Sequence, residues 1–191
     1  MTATDIDLSS STEDGRPTGG PSHACIRHRR VRLDGSAVVP ELIGADHQVI
    51  GLARSDASAA ALTAAGAKVH LGTLDDLDSL RDAAAASDGV IHLAFKHDIA
   101  FSGNFQGAAD ADRRAVETFG EALAGSDRPF VIASGTLGLA PGRVATERDG
   151  HGLDAAVAAL GGGLQARLAT AELVLSIASR RVRSSVVGPP T

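Results

Sequence analysis

Apolar residues in this chain come as short runs, separated by longer stretches in which they recur at helical spacing. Val38, Val39, Leu42 and Ile43 fall on one side of a helix over 36–45, and a short buried strand follows over 47–52. A helix over 57–65 is stopped by Gly66, a strand covers 67–70, and 77–86 is helical again. The run over 89–94 predicts a strongly apolar strand, 108–124 a long helix ending near Gly125, and 128–133 a further strand. A helix over 164–179, preceded by a flexible joint at Gly161, Gly162 and Gly163, leads to a last strand over 182–187. Strands separated by helices call for βαβ crossovers, hence an α/β, doubly wound parallel sheet that binds ligands at the carboxyl ends of its strands. The start is different. Residues 1–22 carry almost nothing apolar and read as a disordered lead-in, and 23–34 hold neither the helical nor the strand period.

Composition narrows the class. With 191 residues, 43% hydrophobic and 21% charged, the chain fits one globular domain with a sizeable core. Five Phe and no Trp or Tyr leave that core to small aliphatic side chains. A net charge of -5 argues against a nucleic-acid surface, although Arg27 to Arg32 is locally basic. A single cysteine, Cys25, excludes an internal disulfide and fits a reducing cytoplasm. No stretch is long and apolar enough to span a membrane, and the polar start has no signal-peptide core. His23 and His28 lack a matching Cys or carboxylate cluster, so no metal site is expected. His92, inside an apolar strand, reads as a core histidine, His97 and Asp98 as candidates to line a substrate pocket, and Arg113-Arg114 as a solvated helix face. No nucleophile elbow supports Ser-His-Asp hydrolysis.

Six pieces at strand ends carry a resemblance: Gly35-Ser36-Ala37-Val38-Val39, Val49-Ile50-Gly51-Leu52-Ala53-Arg54-Ser55, Gly72-Thr73-Leu74-Asp75-Asp76, Val90-Ile91-His92-Leu93-Ala94, Val131-Ile132-Ala133-Ser134-Gly135-Thr136, and Val186-Val187 with Pro189-Pro190. In this order and spacing the chain resembles the extended and atypical short-chain dehydrogenase/reductase family, of the NAD-dependent epimerase/dehydratase type. The resemblance implies a partial NAD(P)-binding Rossmann-like domain over 35–191, with 1–34 outside the family pattern. It implies an oxidoreductase or epimerase/dehydratase acting on a small carbonyl or hydroxyl substrate, with hydride passed by the nicotinamide. Cofactor contacts map onto Gly35, Arg54, Ser55, Thr73, Leu74, Ala94 and Phe95. At the end of the second strand an acidic residue would bind the adenosine ribose and repel a 2′-phosphate. Arg54 and Ser55 stand there instead, a cation and a hydroxyl suited to that phosphate, so NADP is favoured over NAD. Thr73 stands where the family usually has an adenine-contacting Asp, which leaves the Leu74 backbone to serve.

Two family features are missing. The first strand and the glycine loop Gly-x-x-Gly-x-x-Gly are missing or replaced: Gly35 is the third glycine, but Arg29 and Arg32 stand at the first two. Arginine attracts phosphate yet cannot allow the close backbone approach that glycine gives. Losing two backbone-to-phosphate hydrogen bonds at ~1.5–3 kcal/mol each would cost ~3–6 kcal/mol, against about 8 for micromolar binding. Back-translated with GC-rich codons and read one base out of frame, residues 23–34 permit Met-Arg-Val-Phe-Val-Thr-Gly-Ala-Ser-Gly-Trp-Ile. That is an ideal first strand and glycine loop directly ahead of Gly35-Ser36, so 1–34 are expected to be out-of-frame sequence and the end after Pro189-Pro190-Thr191 a truncation. The second missing feature is the catalytic Tyr. The alignment puts Gly163 at the Tyr position and Arg167 at the Lys four residues on; Ser134 or Thr136 takes the serine role. A guanidinium could bind ribose hydroxyls, but glycine is neither acid nor base. The alternatives are therefore a non-catalytic NADP-binding or sensing protein, or an inactive truncated remnant. Substrate identity and oligomeric state are not readable, and a missing first strand would leave an exposed sheet edge prone to pairing.

Overall fold

The computed structural model describes residues 22–26, 35–134 and 162–188. In chain order the elements are β1 (Ser22–Ile26), α1 (Gly35–Gly44), β2 (Gln48–Ala53), α2 (Asp56–Ala64), β3 (Lys68–Leu71), α3 (Leu77–Ala85) and β4 (Gly89–His92). They continue with α4 (His97–Phe101), α5 (Phe105–Leu123), β5 (Pro129–Ala133), α6 (Gly162–Ser176), a 3-10 turn (Ile177–Arg180) and β6 (Arg183–Val187). Among the described residues the six strands form one sheet in the order β3-β2-β1-β4-β5-β6, and every pairing is parallel. This is the doubly wound architecture that the alternating pattern predicts.

Each face of the sheet has its own core. Val49 and Ala53 of β2 pack with Val39 of α1 and Leu62 of α2 on one side. Leu52, Val90, Phe130 and Ile132 meet Leu80 of α3, Val116 and Phe119 of α5 and Val174 of α6 on the other. The period-2 alternation of a strand sends neighbouring side chains to opposite cores. Gly51 is glycine for a packing reason: a Cβ there would lie 2.5 Å from Leu62 Cδ2, so its absence lets α2 sit close on β2. Arg128, in the loop between α5 and β5, ties two helix ends together. Its guanidinium donates to the carbonyls of Ala84 (3.1 Å) and Ala85 (3.1 Å) at the end of α3, and to Ala122 O (3.0 Å) near the end of α5. Carbonyls in the last turn of a helix run short of intrahelical donors, and the cation also suits their negative dipole ends.

Three elements depart from the pattern-based reading. The place of the first strand is filled, not vacant: Ser22–Ile26, in a stretch without readable periodicity, lies at the centre of the sheet between β2 and β4. His23 pairs with Val49 and Gly89, and Ile26 with Leu52 and His92. The exposed edge expected from a missing first strand is thus corrected, because β3 and β6 form the edges. The second departure is α4, five residues long and not anticipated. Third, β4 ends at His92 rather than Ala94, and the last helix gives way to a 3-10 turn at Ile177.

Candidate functional site

Because β1 has β2 on one side and β4 on the other, the winding of the sheet reverses between β1 and β4. The crevice outside the carboxyl ends at such a reversal is where doubly wound sheets hold their ligands. The segment that follows β1 at that point, 27–34, includes Arg29 and Arg32 and lies outside the described residues.

At the carboxyl ends of β2, β3 and β4 is a cavity of about 130 Å³. Leu52 and Arg54 come from the end of β2, Thr73, Leu74 and Asp75 from the turn after β3, and Ala94 and Lys96 from the segment after β4. Asp98 and Ile99 of α4 close the remaining side. The cavity therefore collects Arg54, Thr73, Leu74 and Ala94, four of the residues that sequence reading assigned to a cofactor. Its floor is apolar and its rim charged. Lys96 Nζ lies 2.6 and 2.5 Å from the two carboxylate oxygens of Asp75, and Arg54 Nη1 donates to Asp98 Oδ2 at 3.4 Å.

The other assigned cofactor residues have different positions. Gly35 opens α1. Ser55 is the N-cap of α2: its hydroxyl accepts from the Ser58 N–H at 3.3 Å, while the Ser55 N–H donates to Ser58 Oγ at 3.1 Å. This reciprocal box satisfies two donors at the helix start and takes up the hydroxyl. Phe95 is buried and packs against His97 and Phe105, with ring centroids at 5.2 and 5.5 Å. His97 stacks on Phe95 and Phe101 and does not line the cavity, whereas Asp98 does.

Two of the assigned catalytic residues, Ser134 and Arg167, meet at the end of β5. The Ser134 N–H donates to Val187 O at 2.8 Å, which continues the β5–β6 ladder by one step. Arg167 of α6 donates to Ala133 O at 2.6 Å and to Asp112 Oδ2 at 2.8 Å, and its guanidinium stands 5.4 Å from the Phe95 ring centroid. Asp112, buried in α5, is shared: its Oδ1 lies 2.8 Å from Nε2 of the equally buried His92. With the proton on Nε2, His92 Nδ1 has no hydrogen-bond partner among the described residues. Thr136 lies outside the described residues. Gly163, at the position of the missing Tyr, sits where α6 touches the start of α5. A Cβ there would fall 2.8 Å from Phe105 Cδ1 and 2.9 Å from the Gln106 amide nitrogen. Sequence reading did not find Lys96, Asp75 or Asp112. The one signal for Lys96 was its place directly after Phe95, at a strand end already under attention.

Among the described residues no group of three or more His, Cys, Asp or Glu is placed to hold a metal ion, and no helix is long and apolar enough to cross a membrane. A parallel, doubly wound sheet with a cavity across its strand ends defines a Rossmann-like α/β protein. Residues 32–136 match the model of the NAD dependent epimerase/dehydratase family, and the chain belongs to that family. An uncharacterised protein of Saccharomyces cerevisiae is 40% identical over 158 residues, which is 82% of this chain and 49% of that protein. The chain thus spans about half the length of this curated relative. A nucleoside-diphosphate-sugar epimerase from Pseudomonas aeruginosa superposes with a TM-score of 0.61 at 15% identity, covering 89% of this chain and 51% of the epimerase. BdcA, solved in complex with NADPH, superposes at 0.56 with 15% identity, covering 88% of this chain and 69% of BdcA. Likeness at this level of identity concerns the fold.

Proposed function

We propose that the chain is the cofactor-binding part of an NADP-dependent oxidoreductase or epimerase/dehydratase of the short-chain dehydrogenase type, working on a small carbonyl or hydroxyl substrate. The observation that carries this reading is the rim of the cavity. The end of β2 offers the Arg54 guanidinium where an NAD-selective site presents a carboxylate, and Lys96 adds a second cation from the end of β4. A guanidinium can fork onto phosphate oxygens, and an apolar floor formed by Leu52, Leu74 and Ala94 suits a flat base. Family membership and the fold shared with an NADPH-binding protein support the same assignment. Ser134 or Thr136 is the group that would polarise a substrate oxygen. Isothermal titration of the full chain with NADPH and with NADH tests it. NADPH should bind at least about tenfold more tightly, a difference of about 1.4 kcal/mol. Equal affinities would remove the NADP assignment, and failure to bind either would remove the dinucleotide.

Gly163 favours a second reading, a protein that binds NADP without turning it over. With Gln106 backbone and Phe105 filling the space at that position, a tyrosine has no room there, and Arg167 is already engaged by Asp112. NADPH binding without consumption across a panel of small aldehydes and ketones would select this reading over catalysis.

A further inference from the structure

The rim of the cavity contains more than the cations that a phosphate needs. Each cation is already matched with a carboxylate from a different part of the sheet. Lys96 reaches from the end of β4 to Asp75 after β3, and Arg54 reaches from the end of β2 to Asp98 in α4. Since β2 and β1 separate β3 from β4 in the sheet, both pairs lie across the crest above the central strands.

The two pairs differ in kind. Lys96 is 14% exposed and touches both oxygens of Asp75 at 2.5 to 2.6 Å, which makes a firm clasp. Arg54 and Asp98 are 38% and 47% exposed and meet through one contact of 3.4 Å. Exposed single-contact pairs of this sort add little stability, so this one opens easily. Asp98 itself is held to its helix, because its Oδ1 accepts the Ile99 N–H at 3.1 Å while Oδ2 faces Arg54. The carboxylate is therefore a fixed anion beside the guanidinium that the NADP reading assigns to a 2′-phosphate.

We propose that Asp98 is a specificity-determining residue, an internal stand-in anion that occupies Arg54 until a nucleotide bearing a phosphate on its ribose displaces it. The inference rests on the NADP reading of the same cavity and extends it to the residue that competes with the ligand. A nucleotide with a free 2′-hydroxyl offers Arg54 nothing better than the carboxylate and leaves the pair in place. A 2′-phosphate carries more charge and three acceptor oxygens, so it wins the guanidinium and then faces the repulsion of Asp98. Asp98 thus sets how strongly the site prefers the phosphate-bearing nucleotide, by competing for the one cation that the preference depends on.

The test is calorimetric titration of the full chain and its Asp98→Asn variant with adenosine 2′,5′-bisphosphate and with 5′-AMP. These probes span the adenosine end and do not depend on a nicotinamide. Asparagine keeps the size of the side chain, and far-UV circular dichroism checks that the variant is folded. The expected result is tighter binding of the bisphosphate by about three- to tenfold in the variant, with 5′-AMP changed less than about twofold. In an Arg54→Ala background the same Asp98→Asn change should leave 5′-AMP unchanged and shift the bisphosphate clearly less than it does with Arg54 present, since only the repulsion remains to be relieved. If the parent chain prefers the bisphosphate but Asp98→Asn shifts both probes equally or neither, Asp98 is not the competitor and the NADP reading stands. If neither protein prefers the bisphosphate, the NADP reading falls and this inference falls with it.

Discussion

Asp112 accepts from two directions inside the protein. Arg167 Nη1 and His92 Nε2 both lie 2.8 Å from its carboxylate, and the aspartate is only 1% exposed. A buried carboxylate is tolerated when it is paired, and removing one member of such a group leaves the others charged or polar without a partner. Asp112→Ala should therefore destabilise the fold by about 3–5 kcal/mol in urea unfolding. Adding Arg167→Met should return a large part of that loss, because the orphaned cation disappears with it. A loss below about 1 kcal/mol would show that Arg167 is not held by this carboxylate. The group also shows what a linear reading can and cannot reach at this scale. That Arg54, Thr73, Leu74 and Ala94 meet around one cavity is legible in the sequence, because strand ends in a doubly wound sheet lie side by side. Asp112 was not, since its partners lie 20 and 55 residues away and only helix packing brings them together. Lys96 and Asp75 were missed for the same reason, at a separation of 21 residues.

Between elements, the decisive contact is that of α6 on α5. Gly163 lets the first turn of α6 approach the start of α5 so closely that a Cβ would stand 2.9 Å from the Gln106 nitrogen and 3.1 Å from the Phe105 carbonyl carbon. Backbone cannot swing aside as a side-chain tip can, so a larger residue must push the helices apart. Gly163→Ala should cost about 1–3 kcal/mol by thermal or urea unfolding, even though alanine is the better helix former. An unchanged or raised stability would mean that the helices are free to separate, and a tyrosine at this position would again be worth testing. Element boundaries followed the strength of the local signal. The amphipathic α5 and the apolar β4 were plain in the sequence. The five residues of α4 are too few to show a period, and Ser22–Ile26 has neither alternation nor a clear apolar run. Its strand state comes from the two parallel neighbours that enclose it.

For the whole molecule, the question is how a doubly wound sheet would serve a dinucleotide when its sequence has Arg29 and Arg32 in place of the usual loop glycines. Among the described residues the central place in the sheet is held by Ser22–Ile26, which lies ahead of the stretch 32–136 that matches the family model. Phosphate binding is more demanding, because it depends on backbone approach at Arg29 and Arg32, and no packing elsewhere can supply that. One change should therefore act on affinity far more than on the fold. Replacing residues 23–34 with Met-Arg-Val-Phe-Val-Thr-Gly-Ala-Ser-Gly-Trp-Ile puts a continuous Val-Phe-Val run and two glycines ahead of Gly35. The ~3–6 kcal/mol assigned to the lost phosphate hydrogen bonds corresponds to a gain of about a hundredfold or more in NADPH affinity, read by titration. The strand itself should raise stability as well, since a central parallel strand is buried on both faces and rewards continuous apolar residues. Higher stability without tighter NADPH binding would place the defect at the nicotinamide end, where Gly163 and Arg167 are packed, and away from the loop. Tighter binding that still yields no carbonyl turnover would identify a scaffold able to hold the dinucleotide while lacking the acid that the missing tyrosine provides.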